Sequence, residues 1–151
     1  MKKNAAKKLK TFFVVNPVSG GGRGEKLWKQ VRPQIKKYFG DFDFEFTNSQ
    51  GHGIVLAAEA LKQGYEMIVA VGGDGTANEI VNGFFEEGEP VNEQAILGIL
   101  PAGTGGDYPR TLKMPDVLED RIKRLASNSV RTVDLGHVRY AALDGMRIER
   151  Y

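Results

Sequence analysis

Short runs of consecutive apolar residues alternate along this chain with longer stretches in which apolar residues return every three or four positions. Residues 10–16, with Phe12, Phe13, Val14 and Val15 inside, are rich in aromatic and β-branched side chains and predict a first strand. Over residues 25–39, Leu27, Trp28, Val31, Ile35 and Tyr38 fall on one helical stripe, with Pro33 predicting a kink or a late start. Residues 42–47 alternate aromatic with acidic and suit a second strand. A helix follows from Gly51-His52-Gly53 through Leu61, closed by Gly64. Residues 67–71 form a wholly apolar third strand, and residues 76–85 a helix with Ile80, Val81 and Phe84 inward. Gly88-Glu89-Pro90 reads as a turn, and residues 95–100 as a fourth buried strand. After a short helical piece, residues 116–127 read as a helix whose apolar side is Val117, Ile122 and Leu125. The last stretch differs: residues 131–140 look extended, Asp144-Gly145 is a hairpin signal, and residues 146–151 begin a return strand.

Strands alternating with helices predict an α/β fold, a three-layer, mostly parallel sheet flanked by helices. In such sheets ligands bind beyond the carboxyl ends of the strands. Three loops lie at such ends. They are residues 16–24, which include a flexible glycine-rich stretch from Pro17 to Gly24, residues 72–78 and residues 101–107. They are expected to converge on one site.

Composition narrows the chemistry. The 151 residues suffice for one domain with a real core, and 41% hydrophobic with 26% charged residues fits a globular protein. No cysteine is present, so there is no disulfide framework, thiolate chemistry or zinc–thiolate site. His52 and His137 lie far apart and are expected at the surface or in hydrogen bonds. No apolar run reaches membrane-spanning length, and the lysine-rich start lacks a signal-peptide core, which points to a cytoplasmic location. The net charge is +2, with Lys2, Lys3, Lys7, Lys8 and Lys10 crowded at the start. That cluster fits a frayed, solvated terminus or contact with an anionic membrane surface. No basic–aromatic interleaving suggests nucleic acid.

The densest signal is Val71-Gly72-Gly73-Asp74-Gly75-Thr76-Ala77-Asn78-Glu79. Glycine permits positive φ and leaves room for a ligand, while the start of the next helix offers unpaired N–H groups and a positive dipole end. Such a turn can close around phosphate. Asp74 does not suit bare phosphate but suits a hydroxyl, a lysine or Mg²⁺. The spacing is neither that of the G-x-x-x-x-G-K-[ST] loop nor that of the dinucleotide G-x-G-x-x-G turn.

With Asn16-Pro17-Val18-Ser19-Gly20, Gly72-Gly73-Asp74-Gly75-Thr76-Ala77-Asn78-Glu79-Ile80-Val81-Asn82-Gly83, Leu97-Gly98-Ile99-Leu100-Pro101-Ala102-Gly103-Thr104 and Asp134-Leu135-Gly136 in order, residues 10–151 resemble the catalytic domain of the diacylglycerol kinase and sphingosine kinase family. The broader group includes NAD kinase. The resemblance implies an ATP-dependent, Mg²⁺-using kinase acting on a lipid hydroxyl. On this resemblance Asn16, Pro17, Ser19 and Gly20 would approach the nucleotide. Gly72, Gly73, Asp74, Gly75, Thr76 and Ala77 would form the phosphate cradle. Asn78 would brace that loop or touch the nucleotide, while Thr47, Gly103 and Thr104 would complete the rim. Asp74 carries the catalytic expectation, and Asp74, Asp107 and Asp134 would form a metal- and water-linked network. The general base is expected in a β-rich second domain.

The expected layout is therefore a flexible basic N-terminus at residues 1–10, a nucleotide-binding domain at 11–130, and the start of the β-rich domain at 131–151. The chain is expected to stop just inside that second domain and to be inactive by itself. Implied partners are ATP, a lipid substrate at a membrane surface where the protein is peripheral, and a second copy met through the missing domain. Gly106 stands where the family usually has asparagine, and Pro109 where it has alanine, which touches acceptor positioning; Tyr108 replaces a common phenylalanine and Arg110 keeps a basic position. An NAD or other small-molecule kinase of the same superfamily and a non-catalytic nucleotide-sensing module remain alternatives.

Overall fold

The computed structural model describes residues 8–101, 107–144 and 146–151, and the side chains of all of these but Tyr108 and Pro109. Four strands, β1 (Thr11–Val15), β2 (Asp43–Phe46), β3 (Met67–Gly72) and β6 (Ile96–Pro101), form one parallel sheet in the order β2-β1-β3-β6. Side chains alternate between faces along a strand, and here both faces are covered. Phe13 and Val15 of β1 and Met67, Val69 and Val71 of β3 join Trp28, Val31, Ile35 and Phe39 of helix α2 (Gly24–Phe39) and Ile122 of helix α6 (Leu118–Ala126). Val14, Ile68 and Ala70 point the other way. They pack on Leu56, Ala57, Ala60 and Leu61 of helix α3 (His52–Lys62) and on Ala77 and Ile80 of helix α4 (Asp74–Asn82). The expected layered α/β arrangement is present, and the unbroken apolar run of β3 follows from burial on both sides.

Several local expectations need correction. α2 runs on through Pro33, whose exposed position lets water reach the backbone carbonyl that loses its partner. α4 begins at Asp74, two residues earlier than expected, because burial of Ala77 and Ile80 anchors a first turn that glycine propensity alone disfavours. The stretch after Pro17 is a wound turn, not a loose loop. It contains α1 (Ser19–Gly22), in which Gly20 and Gly21 have left-handed φ of 62° and 71°. Val18, Ser19 and Gly20 accept or donate bonds within it, including Gly22 N–H to the Val18 carbonyl at 2.9 Å. Around Gly88, β4 (Phe85–Glu86) and β5 (Glu89–Pro90) pair antiparallel across Glu87 and Gly88, both at positive φ, the geometry of a tight hairpin. Val117 lies outside α6 and is 59% exposed; Leu118 and Leu125 pack in its place. A short helix α5 (Asp107–Thr111) precedes α6. Of residues 131–140 only the end is paired, in β7 (Val138–Ala141), antiparallel to β8 (Arg147–Arg150). Gly145 of the hairpin signal lies outside the described residues.

One part-buried polar link ties the edge strand to the core. The Tyr65 hydroxyl donates to the Asp43 carboxylate at 2.6 Å. That bond, then burial, holds the phenol neutral and pushes its pKa up from 10.0 to about 12. The folded state thus keeps a proton that the unfolded chain gives up at lower pH. The stabilisation is complete below pH 10 and is lost as pH rises towards about 12. Denaturant midpoints measured across this window should fall in the wild type and fall less steeply in Tyr65→Phe.

Candidate functional site

The chain turns in opposite directions after its two central strands. β1 leads to α2 on one face of the sheet, and β3 leads to α4 on the other. Adjacent parallel strands whose following helices diverge leave a crevice at their carboxyl ends, the usual ligand position in open α/β sheets. Asn16, Thr47 and the Gly72-Gly73 pair all stand at this edge. The Asn16 N–H bonds the Val71 carbonyl and the Thr47 N–H bonds the Val15 carbonyl, both at 2.9 Å.

The polar side chains of the motifs mostly tie these loops together. Asn16 Nδ2 donates to Thr76 Oγ1 at 3.0 Å, joining the first loop to the third-strand loop, while Asn16 Oδ1 accepts the Val18 N–H at 3.1 Å. The Ser19 hydroxyl turns back to the Asn16 carbonyl at 2.8 Å. Pro17 is half-buried in the same turn, and its carbonyl accepts the Glu25 N–H at 3.1 Å. Asn78 faces away from the glycines, with Nδ2 on the main-chain oxygen of Tyr151 at 3.2 Å. Among the described residues that side-chain contact joins α4 to the end of the chain and not to the glycine loop.

The glycines divide into two kinds. Gly72 is required by packing, since a Cβ there would stand 2.4 Å from Thr76 Oγ1. Gly73 and Gly75 are not required by the protein's own structure: a Cβ on either would meet nothing within 4 Å. Gly72, Gly73 and Gly75 are also absent from the positive-φ glycines, which corrects the expectation that this turn uses left-handed backbone. Gly73, the residue before α4, has φ −93° and ψ −171°. Among the described residues no side chain caps α4, and exposed glycines stand on either side of Asp74.

Asp74 Oδ2 accepts the main-chain N–H of Asp107 at 3.1 Å, so the third loop does reach the second. Asp107 is exposed and has Arg110 at 3.9 Å, and Asp134 is exposed in the segment before β7. Among the described residues no group of three His, Cys, Asp or Glu converges closely enough to hold a metal directly, so the three acids are not a direct ligand set. Gly103, Thr104 and Gly106, along with Lys2, Lys3 and Lys7, lie outside the described residues. Lys10 is engaged within the fold, on the Gln63 carbonyl at 3.0 Å and over the Tyr65 ring. His52 Nδ1 accepts the Asn48 N–H at 3.2 Å.

The family model of the diacylglycerol kinase catalytic domain matches residues 10–138. The chain belongs to this family. The diacylglycerol kinase of Staphylococcus saprophyticus is 32% identical over 128 residues, an alignment covering 82% of this chain and 39% of that protein. The diacylglycerol kinase of Bacillus subtilis is 32% identical over 129 residues, covering 83% and 41%. The crystal structure of a diacylglycerol kinase from Bacillus anthracis superposes with a TM-score of 0.67 at 29% identity, covering 83% of this chain and 44% of that one. The chain thus spans about two fifths of the length of the curated relatives it matches. Among the described residues no helix is long and apolar enough to cross a membrane.

Two further residues of this diacylglycerol kinase domain carry structure that the sequence reading left unassigned. Glu79 accepts the N–H groups of Gly51 and Gly53 at 2.8 and 3.0 Å, closing the start of α3 from the neighbouring helix. Asn82, 8% exposed, makes two hydrogen bonds to Tyr151 and one to Asn78. Their place in the Asn-Glu-Ile-Val-Asn-Gly run was the available signal, but Gly51 and Gly53 for Glu79 and Tyr151 for Asn82 are 26 or more residues distant in sequence.

Proposed function

We propose that this chain is the nucleotide-binding part of an ATP-dependent lipid kinase that phosphorylates a diacylglycerol-like hydroxyl. The supporting observation is the pair Gly73 and Gly75: two positions without side chains, at an uncapped helix start, where neither backbone conformation nor internal packing calls for glycine. Room beside free N–H groups suits a phosphate chain. Gly72, Gly73, Gly75 and Thr76 would surround the phosphates, with Ala77 keeping the helix seated against the core. Thr47, Ser19 and Gly20 would line the rest of the edge, and Gly103 and Thr104 the opposite rim.

The donor chemistry also suits Mg²⁺. This ion is commonly held by one or two carboxylates and substrate phosphates while it keeps several waters, so Asp74 with Asp107 is a sufficient protein share and Asp134 would act through water. When bound, Mg²⁺ supplies charge neutralisation for the phosphates. In the transfer itself the lipid oxygen bonds to the γ-phosphorus, the bond to the β–γ bridging oxygen breaks, ADP leaves, and the hydroxyl proton passes to a base. We assign that base to a β-rich second domain that residues 131–151 begin. Val130, Val133, Val138 and Met146 are each about 60% exposed and suit a surface that further strands would cover, since a two-stranded hairpin alone is marginally stable. Lipid access then takes place at a membrane surface.

Calorimetric titration of the chain with Mg-ATP should give saturable binding, weak to moderate. No saturation at millimolar nucleotide would overturn the reading. An enzyme carrying this domain with its β-rich partner should phosphorylate diacylglycerol; transfer to NAD instead would favour the small-molecule kinase, and ATP binding with no transfer the sensing module.

A further inference from the structure

Asn78 and Asn82 stand four apart on one side of α4, and Phe85 opens β4 three residues beyond the end of that helix. That side holds the end of β8. Asn82 Oδ1 accepts the Tyr151 N–H at 3.0 Å, and Asn82 Nδ2 donates to the Tyr151 main-chain oxygen at 3.1 Å and to the Asn78 carbonyl at 2.9 Å. Asn78 Nδ2 reaches the same Tyr151 oxygen at 3.2 Å. The Tyr151 ring is stacked between Phe85, with centroids 4.0 Å apart, and His137, at 4.4 Å. His137 lies 3.6 Å from Glu149, which also holds Arg139 at 2.7 Å.

Satisfying both the N–H and the carbonyl of one residue is what a neighbouring strand does in a ladder. Here a carboxamide on a helix does it. Its orientation is fixed, because flipping it would set NH₂ against N–H and oxygen against two carbonyls. We propose that Asn82, aided by Asn78, is a positioning residue: it clamps the return strand through Tyr151 and so sets the pose of α4, whose first turn carries the glycine site. Its consequence for nucleotide rests on the function proposed above; the clamp itself does not. A conformational change in the C-terminal hairpin would thereby reach the phosphate loop through one short helix.

The test is amide hydrogen exchange and side-chain NMR on the 151-residue chain without nucleotide, followed by Mg-ATP titration. In the wild type, His137 ring protons should be shifted upfield by the Tyr151 ring and the amides of residues 147–151 protected. Asn82→Asp cannot donate and places negative charge against two main-chain oxygens, those of Asn78 and Tyr151. It should remove the His137 shift and speed exchange at least roughly 10-fold both at 147–151 and along α4 at 77–82, with β1 unchanged. Deleting Tyr151, which leaves α4 intact and removes the main-chain groups that Asn82 and Asn78 hold, should likewise speed exchange along α4 at 77–82 and keeps the test decisive if Asn82→Asp does not fold. Tyr151→Phe should behave as wild type, because the buried hydroxyl finds no partner among the described residues. Faster exchange at 147–151 with none at 77–82 would reduce the contact to local packing and overturn the proposal, as would an unshifted His137 in the wild type. Where wild type binds Mg-ATP, Asn82→Asp should bind it several-fold more weakly, and equal affinity would sever the coupling. A wild type that binds no nucleotide refutes the kinase reading, while the exchange data still decide the clamp.

Discussion

Gly73→Val is expected to lower Mg-ATP affinity by two orders of magnitude or more, roughly 3 kcal/mol, without lowering the stability of the fold. The separation follows from the local geometry. Gly73 has φ −93° and ψ −171°, an extended conformation that valine adopts readily, and a Cβ there meets nothing within 4 Å. The added side chain therefore costs the free protein little, within about 0.5 kcal/mol. It would occupy the space beside the start of α4 that the phosphates need. Gly72→Val makes the contrast: its Cβ would stand 2.4 Å from Thr76 Oγ1 and 2.7 Å from Thr76 Cβ, so it should destabilise the protein as well. Thermal denaturation and nucleotide titration of the two variants, side by side, distinguish a steric block from a folding defect. If Gly73→Val bound nucleotide like wild type, phosphate would not lie at this helix start.

The architecture was legible because burial on both faces writes itself as continuous apolar runs. Residues 67–71 have no polar member, and the structure covers both sides of that strand. The stripe of Trp28, Val31 and Ile35 likewise became the buried face of α2. The positions of Asn16 and Gly72 at the ends of neighbouring strands were legible, since strand-then-turn is a local signal. What periodicity could not express was partnership over distance. Glu79 reads as one more charge on a solvated helix face, yet its carboxylate holds two N–H groups of another helix. Asn82 falls inside the helix expected over residues 76–85 with no role marked by periodicity, yet it is buried against the far end of the chain. The paired strands β4 and β5 span two residues each, too short for any alternation to register. The same limit applies to Asn16: its type and place at a strand end suggest a ligand contact, while its actual bonds splice two loops.

Asp74→Asn should separate chemistry from folding in the same way at the neighbouring position. Asp74 opens α4, where a negative charge gains from the dipole by about 0.3–1 kcal/mol. Its one hydrogen bond among the described residues accepts a main-chain N–H from Asp107, which the amide oxygen of asparagine can also accept. Stability should therefore fall by no more than about 1 kcal/mol. The function at risk is charge: a carboxylate can share Mg²⁺ with phosphates, and a neutral amide does so poorly. In this chain Mg²⁺ should strengthen ATP binding for wild type and do so far less for Asp74→Asn. In an enzyme that joins the domain to its β-rich partner, turnover should drop on the order of 10²-fold, the scale on which misplaced reactants lose rate. Asp107→Asn should also weaken the response to Mg²⁺, since it removes the second carboxylate, while the main-chain bond of Asp107 to Asp74 is kept. Parallel loss of stability and turnover in Asp74→Asn would make the residue a helix-start stabiliser. An unchanged response to Mg²⁺ would move the metal away from this carboxylate.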